Sequence, residues 1–141
     1  MIDVVEELKK GNSVKIMPQG VSMHPMLKEG RDDVTIAPIG NRRIRTNDVI
    51  LFRYNGILTL HRLCKITREG YFFMGDNFSF AEGPVDKADI YGILMEFTRK
   101  GKRISCSNLI YRISARIWLI LIPVRDPIKD FLFNIKKQIL K

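Results

Sequence analysis

The chain has 141 residues, 45% of them hydrophobic, which is long enough and apolar enough for one globular domain. Its two cysteines, Cys64 and Cys106, are too few for a disulfide framework and have no partners at metal-ligand spacing, which favours reduced thiols in a cytoplasmic protein. The formal charge of +9 lies entirely in residues 99–141, where 11 Lys and Arg stand against two Asp, whereas residues 1–98 hold 13 basic and 13 acidic residues.

The hydrophobic pattern predicts a mainly β chain that begins with a short amphipathic helix at residues 2–10. Alternating apolar residues, separated by turn residues, then indicate strands at 13–17, 33–37, 48–54, 57–67, 71–74 and 90–98. The dipeptide Asn55-Gly56 is typical of a tight hairpin between two of these strands. Short strands at this spacing indicate a small folded β-sheet or barrel.

The last part of the chain has a different pattern, so we divide the chain into a β-rich domain at 1–98 and a basic helical tail at 99–141. An apolar helix is predicted over residues 109–122 and is stopped by Pro123. Asp126 then resembles the N-cap of a second amphipathic helix. The expected architecture is therefore a folded sheet with a short N-terminal helix and a C-terminal pair of basic helices.

The tail is not expected to cross a membrane, because its longest uninterrupted apolar run, 117–124, has only eight residues and extension back to residue 109 brings in Arg112 and Arg116. It is expected either to cover the β-domain or a partner chain, or to lie on an anionic membrane surface. It contains no recognisable nucleic-acid-binding motif, so nucleic acid is not an expected partner.

Three short strings supply the parts of an activated-serine site, in the order hydroxyl, imidazole and carboxylate. Ser22 lies in GVSMHP, His61 is followed by Arg62, and Asp76 lies in GDN. A serine hydroxyl becomes nucleophilic when a base removes its proton, and the pKa of histidine suits that task. An acid beyond the histidine fixes its tautomer. The strings therefore predict Ser22 as nucleophile, His61 as base and Asp76 as the orienting acid.

Together with NDVILF at 47–52 and DIYG at 89–92, these strings resemble the signal peptidase I family over roughly residues 10–98. The SMHP, HR and GDN strings are similar to its archaeal and endoplasmic-reticulum branch, which uses a Ser/His pair. The resemblance implies the all-β catalytic fold shared with LexA and a serine endopeptidase that removes a leader or signal segment from a precursor peptide. It implies small residues before the cut, and the mechanism needs no metal or cofactor.

The sequence departs from the family pattern around the nucleophile and after GDN. Gly20 stands where many members have a serine that helps to hold the oxyanion, so backbone N–H groups near Ser22 are expected to hold it. Met23 is expected to pack beneath the site. A second acid commonly follows GDN in the family, and both Glu82 and Asp86 are candidates for it.

The sequence leaves the base, the location and the activity open to more than one interpretation. Lys65 would share a strand face with His61 in a regular strand, so a lysine could be the base instead.

The chain shows none of the N-terminal spanning helix usual in the family, which suggests a cytoplasmic protein, peripheral on the inner face of the membrane beside an exporter. The chain also fits a LexA-like self-cleaving or dimerising module, including a homodimer, or a catalytically inactive module that binds peptides.

Overall fold

The computed structural model describes residues 3–17, 23, 32–77, 80–99 and 102–121, and it confirms the mainly β fold. Helix α1 (Val4–Lys9) stands at the start of this part of the chain and helix α2 (Leu109–Ile120) at its end. The strands are β1 (Val14–Ile16), β2 (Asp33–Pro38), β3 (Val49–Tyr54), β4 (Ile57–Thr67), β5 (Gly70–Met74), β6 (Glu82–Val85), β7 (Ile90–Arg99) and β8 (Lys102–Ser105).

The strands form one antiparallel sheet in the order β1-β2-β7-β3-β4-β5-β6, and β8 pairs with β7 off this path. The hairpin predicted at Asn55-Gly56 joins β3 to β4, and both residues have positive φ angles (51° and 78°), as a type I′ turn requires. Because β8 continues the sheet, the predicted boundary between residues 98 and 99 needs correction: the sheet runs across it.

Both faces of the sheet are buried at β3, since four successive residues of this central strand are all buried. Side chains alternate between faces along a strand. Val49 and Leu51 join Leu8 of α1 and Phe97 of β7 in a first core cluster. Ile50 and Phe52 join Leu63 and Phe73 in a second core cluster. Neighbouring residues of a central strand therefore enter two separate environments.

Both helices begin at a side-chain cap. The carboxylate of Asp3 accepts the backbone N–H of Glu6 at 3.2 Å, and the side-chain oxygen of Asn108 accepts that of Ile110 at 2.9 Å. Helix α2 starts at the predicted residue and ends two residues earlier than predicted. Among the described residues, no helix combines the length and the hydropathy needed to cross a membrane.

Candidate active site

The described part of the site is built on the neighbouring strands β4, β5 and β6. Glu82 of β6 pairs with Phe73 of β5, which pairs with Leu63 of β4. His61 lies two residues before Leu63, so its side chain leaves the same face of the sheet. This register brings the Nδ1 atom of His61 to 2.5 Å from Oε1 of Glu82.

The contact between His61 and Glu82 is shielded from water, since both atoms are buried. Two such electronegative atoms approach this closely when a proton lies between them. A proton on Nδ1 leaves the lone pair of the ring on Nε2, where a general base needs it. Glu82 thus stands where an acid would orient a catalytic histidine.

The environment of His61 keeps its imidazole neutral near pH 7. Burial lowers the pKa of His61 below its ordinary value of 6.5, while the charges of Glu82 and Asp76 partly oppose that shift. Part of this burial comes from the ring of Phe52, whose centroid lies 6.1 Å away in an edge-on arrangement. A neutral imidazole can accept a proton, which a base must do.

Arg62, the next residue in β4, leaves the opposite face and is fully buried. Its Nε and Nη2 groups donate to the two carboxylate oxygens of Asp76 at 2.7 and 2.8 Å. Its Nη1 group donates to the backbone carbonyl of Asn47 at 2.8 Å. Burial alone would lower the pKa of Arg62, but its bonds to Asp76 outweigh that and raise the pKa. The guanidinium of Arg62 therefore keeps its positive charge despite its burial.

Asp76 and Glu82 therefore have different partners. Asp76, predicted to orient His61, gives both carboxylate oxygens to Arg62. It still acts on His61 through its charge, which raises the pKa of the imidazole. Glu82, one of two candidates for a second acid, stands beside His61 itself. Asp86, the second of these candidates, is exposed at the start of a 3-10 turn.

Met23 is the one described residue of the predicted nucleophile loop, and it is buried in the first core cluster. The backbone N–H of Asp76 donates to its Sδ atom at 3.5 Å. Ser22 and Gly20, predicted as nucleophile and oxyanion residue, lie outside the described residues. Met23, the residue that follows the predicted nucleophile in the chain, thus contacts the GDN turn.

Lys65, the lysine that could serve as base, does not share the face of His61. The register of β4 against β5 shifts between Leu63 and Lys65, so that Lys65 pairs with Phe72 rather than with the residue expected in a regular ladder. Its side chain is exposed, with Nζ 5.9 Å from the centroid of the Phe72 ring. The extra residue in β4 separates Lys65 from the buried contact of His61 and Glu82.

Helix α2 packs one face on the β-domain at the site, as one of the two interpretations of the tail predicts. Trp118 donates its Nε1–H to the backbone carbonyl of Asp76 at 2.7 Å. Tyr111 accepts from Nη1 of Arg62 at 3.4 Å, and Ala115 between them is buried. The sequence contains a signal for this contact, because these three residues recur at helical spacing on one face. The spacing alone does not show that this face meets the site.

The described side chains thus form two neighbouring pairs on opposite faces of β4, His61 with Glu82 and Arg62 with Asp76, and α2 covers the second pair. Comparisons with models of protein families, with curated proteins and with solved structures found no match. Function is therefore inferred from the three strings and from the geometry around His61.

Proposed function

We propose that the chain is a serine endopeptidase of the signal peptidase I type, which removes a leader or signal segment from a precursor peptide. Ser22 is the nucleophile, His61 is the general base and Glu82 is the acid that orients it. The observation that carries the proposal is the buried contact between His61 Nδ1 and Glu82 Oε1. A buried histidine with lowered pKa beside a carboxylate is a typical arrangement for a base that activates a hydroxyl.

The burial of Met23 supports the role given to Ser22. Consecutive Cα atoms are about 3.8 Å apart, and Met23 follows Ser22 in the chain. Met23 contacts the backbone of Asp76, whose carboxylate binds Arg62, the neighbour of His61 in β4. Met23 thus contacts the GDN turn on the Arg62 side of β4, and Asp76 in that turn also acts on the pKa of His61 through its charge.

The proposed reaction has two steps. Nε2 of His61 takes the hydroxyl proton of Ser22 while Oγ attacks the scissile carbonyl, and backbone N–H groups near Ser22 and Gly20 hold the oxyanion. The imidazolium then gives its proton to the leaving amine, which leaves an acyl-enzyme. Water, deprotonated by His61, releases the acyl group and restores Ser22. Glu82 stabilises the imidazolium in both steps.

The sheet offers an edge on which an extended peptide can bind. Among the described residues, β1 stands at one end of the strand order and pairs only with β2, so it forms an edge of the described sheet. β1 (Val14–Ile16) also comes shortly before Gly20 and Ser22 in the chain. A precursor that adds to this edge as a further strand would run along the segment that leads to the nucleophile. We propose that this occurs in the cytoplasm, at the inner face of the membrane.

A serine-directed probe tests the proposal without knowledge of the substrate. A fluorophosphonate should label the full chain, and mass spectrometry should locate the adduct on Ser22. Ser22→Ala should abolish labelling, and His61→Ala should slow it by several orders of magnitude.

With a leader peptide as substrate, the double variant should be little worse than either single one, because the two groups act as a unit. Ser107→Ala, at an exposed serine that contacts Ser105, is the matched control and should react normally.

Two results would contradict the proposal. A folded protein that gives no adduct would be a peptide-binding module rather than a peptidase. If His61→Ala keeps normal reactivity while Lys65→Ala loses it, the base is the lysine and the role of His61 is wrong.

A further inference from the structure

Helix α2 has a second, outward face that its packing on the β-domain does not use. The inward face carries Tyr111, Ala115 and Trp118. Large aliphatic side chains, each at least half exposed, form what we call the outer stripe: Leu109, Ile110, Ile113, Ile117 and Ile120. These residues recur at helical spacing on the opposite side of the helix. A contiguous exposed apolar patch of this kind marks an interaction surface.

A basic cavity of about 410 Å³ adjoins the outer stripe. Arg45 from the segment before β3 and Arg112 and Arg116 from α2 line what we call the arginine cavity. Leu109 and Ile113 of the outer stripe also line it, so the polar cavity and the apolar surface are continuous. This size falls in the usual range for pockets that take small ligands or headgroups.

The charges of the arginine cavity favour an anion. None of the ion pairs formed among the described residues uses Arg45, Arg112 or Arg116. The one acid in the lining, Asp48, accepts the backbone N–H of Arg45 at 2.9 Å, and burial raises its pKa. The lining therefore carries three guanidinium groups and only one carboxyl group, which is partly buried. Arginine is suited to phosphate because its planar fork binds two oxygens at once.

Asn47 adds a second polar feature to the arginine cavity. Its Oδ1 atom is buried and has no hydrogen-bond partner among the described residues. A buried acceptor without a donor is costly, so a ligand with a hydroxyl group would relieve this cost.

We propose that α2 docks on a membrane that contains anionic phospholipid, with a lipid phosphate in the arginine cavity and the outer stripe in the acyl-chain boundary. A free phosphate would account for the cavity but not for the adjoining apolar stripe. A second copy of the chain that packed on the same face would bring two basic α2 helices together, which like charges oppose. The basic excess of residues 99–141 fits a negatively charged surface.

Co-sedimentation of the full chain with vesicles tests this docking. Binding to vesicles that mix phosphatidylglycerol with phosphatidylcholine should exceed binding to pure phosphatidylcholine, and it should weaken as salt rises. The double variant Arg112→Gln/Arg116→Gln should lower the partition coefficient about 30-fold, from about 1 kcal/mol for each charge. Ile113→Ser/Ile117→Ser should lower it at least about tenfold, because the stripe would bury less apolar surface.

Matched controls lie outside α2. Arg68→Gln removes an exposed arginine from the turn between β4 and β5, and Ile57→Ser removes an exposed isoleucine at the start of β4. Both should bind vesicles like the unchanged protein. Circular dichroism should show that all four variants keep the β-sheet.

The proposal is overturned by equal binding to neutral and anionic vesicles, or by binding to neither. It is also overturned if the α2 variants bind like the controls, since residues 122–141 would then account for the binding. The last experiment adds inorganic phosphate, at matched ionic strength, as a competitor for the arginine cavity. If it displaces the protein from vesicles, and the stripe variant has no effect, the cavity binds free anions and α2 does not dock.

Discussion

His61 and Arg62 are neighbours in β4, yet their side chains leave opposite faces of the sheet and meet different carboxylates. A buried guanidinium is stable only beside a charge that compensates it. Asp76 supplies that charge with both of its oxygens. Glu82 is then the acid that lies against the imidazole, and each carboxylate has one principal task.

Substitution of the two acids should separate these tasks. Glu82→Gln should slow fluorophosphonate labelling of Ser22 about 10²- to 10⁴-fold and leave the free energy of unfolding nearly unchanged. Asp76→Asn leaves the charge of Arg62 buried without compensation and should lower the free energy of unfolding by about 3–5 kcal/mol. Labelling kinetics and urea titration measure the two effects. If Asp76→Asn slows labelling and Glu82→Gln mainly destabilises, the two roles are reversed.

The lowered pKa of His61 predicts a particular pH dependence. The labelling rate should rise with pH as the imidazole loses its proton, with a midpoint below 6.5 and a plateau at higher pH. Glu82→Gln removes a charge that raises the pKa of His61, so the midpoint should move lower still. Exposed Glu69→Gln, in the turn between β4 and β5, is the control and should leave it unchanged. A midpoint above 6.5 would contradict the assignment.

The same pKa shift affects stability. Because the folded state binds its proton less readily than the unfolded chain, the unfolded state holds more protons between the folded pKa and 6.5. The contribution of His61 to stability is therefore complete above pH 6.5. It is lost as the pH falls through the folded pKa.

At the scale of elements, the position of Glu82 depends on the close approach of β6 to β5. Gly83 has a φ of +152°, and a Cβ placed there would lie 2.7 Å from the carbonyl oxygen of Tyr71 and 2.7 Å from a ring carbon of Phe72. Any side chain at this position forces the two strands apart. Glu82, the preceding residue, would move with the strand.

Gly83→Ala should therefore lower both stability and the rate of Ser22 labelling. Gly40→Ala is the matched control, because Gly40 has a positive φ of 52° but nothing within 4 Å of its added Cβ. Gly40→Ala should lower the free energy of unfolding by about 1 kcal/mol, from backbone strain alone, and should leave the labelling rate unchanged. Equal effects of the two variants would show that the strand contact does not position Glu82.

At the scale of the whole molecule, the part of the chain that carries the charge excess is not a detached appendage. β8 extends the sheet beyond the balanced part of the sequence, and α2 returns to cover the pair formed by Arg62 and Asp76. The helix thus contacts the site with one face and presents the outer stripe with the other. Docking of the outer stripe on a membrane would keep the proposed active site close to that membrane, where we propose that the precursor is cleaved.

Truncation measures how much α2 contributes to the whole fold. A chain that ends at residue 107 keeps β8 but loses α2, and its free energy of unfolding should fall by about 3–5 kcal/mol. The loss comes from the buried surface of Tyr111 and Trp118 and from the bond of Trp118 to the Asp76 carbonyl. A chain that ends at residue 121 keeps these contacts and is the control in urea titration. Equal stability of the two chains would show that α2 does not pack as described.

Local patterns in the sequence determined much of the fold. Alternation of apolar residues placed six of the strands to within one or two residues, and Asn55-Gly56 placed the hairpin, because these signals act over a few neighbouring residues. Strand β6 was missed because its Gly83-Pro84 dipeptide is typical of a turn. Strand β8 was missed because it is short and polar and takes its place by pairing with β7.

The sequence by itself determined which residue types are present for an activated-serine site and in what order: Ser22, His61 and then several acids. Which acid meets His61 was decided by the tertiary structure, because that depends on the face that each strand presents and on the register between β4, β5 and β6. An extra residue in β4 likewise turned Lys65 away from the face of His61. The sequence showed that α2 is amphipathic and basic, but only its packing decided which apolar face is covered and which is left exposed.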